Sequence, residues 1–279
     1  MTGVTGVERL GAYHLITALD VRGPADPRPG QFYMLAAAER WGGGGDERPY
    51  LPRAFSYARA RPTGDGVALD FLLEAIGPGT ERLAALVPDE GLALVGPLGI
   101  GFRPARPGTR PVLVGGGIGM APLLCLQEEL AGIAGAAAAH GDGPAGTAEE
   151  GASVLLGFRS AAHAQAAALF PGDPSLATDD GSVGRGALVT DLLREELDRD
   201  PAATVFACGP PAMLEAVRAL CAERDVSAQL ALESAMACGF GACFGCVVPT
   251  REGYLRLCVD GPVLDAEQLQ TALFPGAGH

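Results

Sequence analysis

Four cysteines near the C-terminal end, Cys238, Cys243, Cys246 and Cys258, are spaced to share one inorganic cluster. The first three read C-x4-C-x2-C and the fourth follows after eleven residues, the ligand pattern of a plant-type 2Fe–2S centre. Two bridged irons need four thiolates converging from one loop and one distant anchor. Gly239, Gly241, Ala242 and Gly245 lie between the ligands. Their small size lets backbone wrap the core closely and aim N–H groups at the sulfurs. Structural zinc prefers two short Cys–Cys knuckles, and only Cys243 and Cys246 form one. Zinc, a disulfide pairing and free thiols are the lesser readings.

Five further motifs could hold nucleotides. Arg53-Ala54-Phe55-Ser56-Tyr57 sets an Arg and a Ser on alternating sides of a strand. The Arg can clamp a pyrophosphate and Ser56 can hydrogen-bond a flavin edge; the bland alternative is a surface strand. Gly77-Pro78-Gly79-Thr80 offers backbone N–H groups ahead of a short helix, bordered by Leu72, Leu73 and Glu74 on the preceding strand. Its alternative is a plain turn with Thr80 as N-cap. Gly115-Gly116-Gly117-Ile118-Gly119 follows a β-run and opens a helix, the context a dinucleotide site requires, although a tight structural turn would look alike. Cys208-Gly209-Pro210 ends another β-run, where parallel sheets bind ligands. Cys208 there could border a nicotinamide or be a buried small hydrophobe. Asp180, in TDDGS at a third strand end, could hold ribose or nicotinamide edges or belong to a solvated turn.

These residues need elements to position them. Residues 10–100 read as short strands (LGAYHLITALDV, QFYMLAAA, RAFSYARA, VALDFLLEAI, GLALVGPLG) with one helix at 81–87, a small antiparallel barrel. Residues 110–222 alternate strands and helices, a doubly wound parallel sheet. The expected domains are therefore a barrel at 1–104, an α/β domain at 105–222 and a small cysteine module at 223–279, too short to hold a core alone. Loops are expected at 39–52 and at 134–152, the latter containing His140.

Composition narrows the partners. A net charge of −13 argues against nucleic acid, which needs a basic face. All twenty basic residues are arginine, so any anion is held by Arg, backbone N–H groups or a helix N-terminus. No apolar run reaches the roughly 18 residues of a membrane span, and the first residues lack the n- and h-regions of a secretory signal. Seven cysteines suit a reducing cytoplasm.

In this order the motifs resemble the electron-transfer subunits of NAD-dependent dihydroorotate dehydrogenase B. The likeness runs from PGQF (29–32) to CVDGPVLD (258–265), with LESAMACGFGACFGCV as its closest stretch. It implies a ferredoxin-reductase-like fold with an FAD barrel, an NAD domain and a 2Fe–2S module. Arg53, Ala54, Phe55, Ser56, Leu72, Leu73, Glu74, Gly79 and Thr80 would contact FAD. Gly115, Gly116, Gly117, Gly119, Asp180, Gly209 and Pro210 would contact NAD. The four cysteines would bind the cluster, and the partner would be an FMN-containing catalytic subunit in a two-plus-two heterotetramer. Four positions depart from the pattern: Ala54 replaces a usual Pro, Ala235 an Arg, Leu264 an aromatic and Ile100 an Asn. A free-standing or differently partnered NAD(P)H reductase shares the same motifs. Arg159, after the second sheet strand, could meet the 2′-phosphate of NADP or sit on the surface.

Overall fold

The computed structural model describes residues 2–24, 26–42, 48–132, 151–274 and 276–277. The loop expected at 134–152, with His140, lies outside the described residues except for its last two positions, as do 43–47 of the loop expected at 39–52.

Six strands close an antiparallel barrel in the order β1-β2-β5-β4-β3-β6. They are β1 (Thr2–Leu10), β2 (Tyr13–Asp20), β3 (Phe32–Ala37), β4 (Arg53–Thr63), β5 (Gly66–Glu74) and β6 (Gly91–Leu98). β1 precedes the first strand expected from the sequence, which begins at residue 10. Its glycines at 3 and 6 blur the alternation, and its register with β2 shifts between Val4 and Gly6. Tyr33 meets Tyr57 and Phe71 edge-to-face in the barrel interior, with ring centroids 6.1 and 5.6 Å apart. Each such pair contributes about 0.5–1.5 kcal/mol beyond its burial. β3 is a continuous apolar run because both its faces are covered. Tyr33 and Leu35 fill the barrel, whereas Phe32 and Met34 point outward into a core shared with Cys246 and Cys258. The short helix α1 (Pro78–Ala84) starts three residues before the expected position, with Gly77 as its N-cap.

A seven-stranded sheet follows in the order β10-β9-β8-β7-β11-β12-β15. Its strands are β7 (Arg110–Gly116), β8 (Ser153–Phe158), β9 (Ser175–Thr178), β10 (Arg185–Gly186), β11 (Ala203–Cys208), β12 (Ser227–Ala231) and β15 (Val263–Asp265). All pairings are parallel except β12–β15. Helices α2 (Met120–Leu130), α3 (Ala161–Ala164), α4 (Val189–Arg199) and α5 (Pro211–Glu223) accompany it. The expected boundary after residue 222 must be corrected. It cuts β12 and β15 away from the sheet whose ladder they complete. The cysteine segment adds only one hairpin of its own, β13 (Val247–Thr250) with β14 (Gly253–Arg256). Val248 and Leu257 join the core of the sheet, so the segment borrows that core. No helix among the described residues is long and apolar enough to cross a membrane.

Candidate functional site

β4 and β5 pair from Thr63/Gly66 as far as Tyr57/Phe71 and then part. Beyond that point lie the two segments expected to contact FAD. Arg53–Ser56 pairs with β3 on its other side, and Leu72–Glu74 pairs with β2. Each therefore turns an edge without a ladder partner toward the gap. Unpaired backbone groups need an external partner, which a flat polar ring can supply. Leu72 and Leu73 bury their side chains in two different cores, leaving only their backbone to the gap. The Ser56 hydroxyl has no hydrogen-bond partner among the described residues. Arg53 donates to the Leu51 carbonyl (2.6 Å) and lies 5.8 Å from the Trp41 ring centroid. No carboxylate among the described residues pairs with it. A Cβ at Gly79 would come within 2.7 Å of Arg53 Nε, so only glycine lets the guanidinium lie on the start of α1. Thr80 is not the N-cap. Its hydroxyl accepts from the N–H groups of Ile76 (2.9 Å) and Gly77 (3.1 Å) and donates to the Gly77 carbonyl, which closes the turn.

The strand ends β7, β8, β9 and β11 assemble the second set of residues along one edge of the sheet. Most of its glycines serve packing. A Cβ on Gly119 would lie 2.5 Å from the Cys208 carbonyl and Gly209 N, and one on Gly116 would lie 2.4 Å from Met213 Sδ. Gly209 likewise abuts Gly116, and Gly115 abuts Leu156. The two loops are thus locked together, and Gly117 (φ +54°) is the glycine left facing open space, with only the Tyr13 hydroxyl within 4 Å of its Cβ direction. Cys208 is buried, and desolvation followed by the charge of Glu233 pushes its thiol well above the usual range. It is a neutral thiol that contributes shape. Pro210 is exposed. Asp180 is exposed too; its carboxylate accepts from the Ser182 hydroxyl (2.6 Å) and N–H (3.0 Å), bonds that lower its pKa. Arg159 does not stand free: it pairs with Glu74 (2.9 Å).

Glu233 escaped the sequence reading. It lies two residues past Ala231, which pairs in register with Cys208. The residue is solvent-accessible, yet surrounding protein desolvates the carboxyl and raises its pKa. The available signal was its place just after a sheet strand.

The four cysteines are free thiols that fall into two pairs. Cys243 hydrogen-bonds Cys238, and Cys246 hydrogen-bonds Cys258. No three His, Cys, Asp or Glu side chains among the described residues converge on a single-metal site. Cys238 also acts on Cys258, so all four thiols lie in one neighbourhood. Backbone donors already point at the sulfurs: Cys243 N to Cys238 Sγ, Gly245 N to Cys243 Sγ and Cys258 N to Cys246 Sγ, each 3.4 Å. Burial opposes ionisation of Cys238, but N–H groups of Cys243 and Phe240, the Cys243 thiol and the Ala242 N–H bring its pKa to about 6. Burial, then Cys246, lifts Cys258 to about 12. The loop packs on the barrel, since a Cβ on Gly239 would meet Met34 Cγ at 2.6 Å. Met34 is paired in register with Ala54, so the cysteine loop and the parted strands are neighbours.

Residues 233–270 match the family described as the iron–sulfur cluster binding domain of dihydroorotate dehydrogenase B. Across nearly the whole chain, similarity extends to proteins named dihydroorotate dehydrogenase B (NAD(+)), electron transfer subunit. The Clostridium acetobutylicum protein is 32% identical over 256 residues, 91% of each chain. The Shouchella clausii protein is 36% identical over 85% of this chain and 84% of its own. The chain belongs to the dihydroorotate dehydrogenase B electron transfer subunit family. Among solved structures, an NADH-dependent reduced ferredoxin-NADP oxidoreductase superposes with a TM-score of 0.77 at 22% identity, over 97% of this chain and 90% of that one. The ferredoxin reductase of carbazole 1,9a-dioxygenase gives 0.62 at 19% identity, over 81% and 65%. Both likenesses bear on fold alone, which is ferredoxin-reductase-like.

Proposed function

We propose that this chain carries electrons between an FMN-containing dihydroorotate dehydrogenase catalytic subunit and NAD+, using FAD and a 2Fe–2S cluster. The adjacency of the parted β4–β5 edges and the two thiol pairs, joined through Met34 and Gly239, carries the reading. When bound, the flavin exchanges a hydride with nicotinamide and the cluster carries single electrons.

The chain's own residues bind and orient. Arg53 holds the pyrophosphate, and Gly79 keeps room for its guanidinium. Ala54, Phe55 and Ser56 offer one backbone edge to the ring; Leu72, Leu73 and Glu74 offer the opposite edge. Thr80 shapes the turn. Gly117 admits the dinucleotide, while Gly115, Gly116, Gly119, Gly209 and Pro210 hold its loops and Asp180 rims the cleft. Cys208 borders the nicotinamide end, with Glu233 close enough for its charge to act on the thiol. Cys238, Cys243, Cys246 and Cys258 would hold the cluster, which would supply single-electron transfer. Dihydroorotate oxidation belongs to the partner, in a two-plus-two assembly. Residues 1–104 form the flavin domain, and the nicotinamide sheet runs from 105 through β12 with β15 added. The free thiols favour a reducing, cytoplasmic setting.

The test is purification from the native host followed by flavin, iron and sulfide analysis. FAD and two irons per chain, an FMN-bearing second chain and reduction of the complex by dihydroorotate are expected. A lone chain with FAD and two irons would favour the free-standing reductase instead.

A further inference from the structure

The cysteine segment carries few cations. Between residues 233 and 270 the basic side chains are Arg251 and Arg256, against Glu233, Glu252, Asp260, Asp265 and Glu267. Arg251 is exposed at the tip of the β13–β14 hairpin. Arg256 ends β14 two residues before Cys258 and turns onto the cysteine loop. Its Nη1 donates to the Gly241 carbonyl at 3.2 Å. Its Cζ lies 5.3 Å from the Phe244 ring centroid. Asp260 Oδ2 accepts from its backbone N–H at 2.8 Å and sits 3.7 Å from its Nε.

One guanidinium thus holds both spans between the first three ligands, Gly241 between Cys238 and Cys243, and Phe244 between Cys243 and Cys246. Gly241 in turn aims its N–H at Cys258. Gly241 has φ +86° and Phe244 φ +58°. The second is a conformation that a bulky residue keeps only when its surroundings hold it, and the cation stacked on the ring is such a restraint. A Cβ on Gly241 would come within 2.7 Å of Val259 Cγ2 and 3.3 Å of Arg256 Nη1, so the arrangement has no slack.

We propose that Arg256 is a positioning residue that sets the reduction potential of the cluster, with Asp260 tempering its charge. The proposal rests on the cluster reading. One electron entering a cluster of four thiolates adds one negative charge, with no bond broken and no proton required. A fixed cation beside the loop favours the reduced form, and local charge and hydrogen bonds to sulfur are the levers on such potentials.

The experiment is a redox titration of the cluster in the intact purified complex, followed by its reduced-state paramagnetic spectrum, with iron and sulfide assayed in every sample. Arg256→Gln is expected to shift the midpoint to lower potential and alter the spectrum. Arg256→Lys, which keeps the charge but not the planar stack, is expected to recover most of the shift. Asp260→Asn still accepts the backbone N–H but no longer offsets the guanidinium, and is expected to move the midpoint upward. If Arg256→Gln loses its iron, the Asp260→Asn shift decides. Unchanged midpoints in iron-replete Arg256→Gln or Asp260→Asn would overturn the proposal. Wild-type protein without iron and sulfide would instead defeat the cluster reading itself.

Discussion

Arg159 Nη2 donates to both carboxylate oxygens of Glu74, at 2.9 and 3.0 Å. The pair joins the C-terminal end of barrel strand β5 to the end of sheet strand β8. His163 approaches the same carboxylate at 3.4 Å and stacks edge-on against Tyr13, 5.6 Å away. The guanidinium is engaged by Glu74 rather than free, which favours the surface reading of Arg159. Arg159→Ala should leave the ratio of NADH to NADPH efficiency nearly unchanged, as steady-state kinetics with each cofactor will show. Because Arg159 is 66% exposed, the stability lost should be under about 1 kcal/mol.

Gly239 has φ +80° and faces Met34. An alanine there combines backbone strain with a clash against a buried thioether and should cost about 1–3 kcal/mol. Gly239→Ala should therefore lower the denaturation midpoint and the iron content together. Gly108→Ala is a suitable control, because Gly108 shares the positive φ (+79°) but its Cβ would meet nothing within 4 Å. Iron content that fell equally in both variants would remove the special role of the Met34 contact.

Strand alternation and glycine turns made the barrel and the sheet readable, because apolar periodicity reports burial directly. β1 was missed where glycine supplies no side chain to alternate. The cysteine spacing announced its chemistry because ligand geometry constrains sequence tightly. The parting of β4 from β5, the locking of Gly119 onto Cys208 and the placing of Glu233 beside Cys208 depend on tertiary register. No local pattern encodes them. The boundary after residue 222 failed for a similar reason: β15 reaches β12 from more than thirty residues away.

Replacing Cys243 by Ser should separate the two halves of the pathway. The cluster's visible absorption and electron delivery to the partner should disappear. Hydride exchange between NADH and FAD should largely survive, because the parted strands and the Gly117 turn do not depend on Cys243. A folded, FAD-loaded variant that failed to oxidise NADH with an artificial two-electron acceptor would contradict this division.

Glu215 on α5 fastens the C-terminal segment, accepting from the Ala272 N–H (2.6 Å) and the Thr271 hydroxyl (3.0 Å). Arg218, donating to the same carboxylate, is the main cause of its low pKa; burial opposes it, and the Ala272 and Thr271 bonds reinforce it, giving about 2 against 4.5 unperturbed. A depressed folded-state pKa stabilises the fold above about pH 4.5, and that contribution is lost as pH falls toward 2. Allowing for solvent screening, Glu215→Gln should cost about 1–2 kcal/mol at pH 7. Urea titrations at pH 7 and pH 3 should show the gap to wild type narrowing in acid; a constant gap would mean the carboxylate charge is irrelevant.

Glu233 has the opposite sign. Desolvation raises its pKa, so its charged form opposes folding. Stability is full below the unfolded pKa and declines as pH rises through the folded one. Gln is nearly isosteric and never ionises. Glu233→Gln should therefore be more stable than wild type at neutral pH, by a margin that vanishes in acid. The same change removes the carboxyl that acts electrostatically on Cys208. A role for that carboxyl in the reaction would appear as slower NADH oxidation by Glu233→Gln. A group kept for packing alone would yield the stability gain with the rate intact. A gain in stability together with a loss of rate marks a carboxylate retained for chemistry at the expense of the fold.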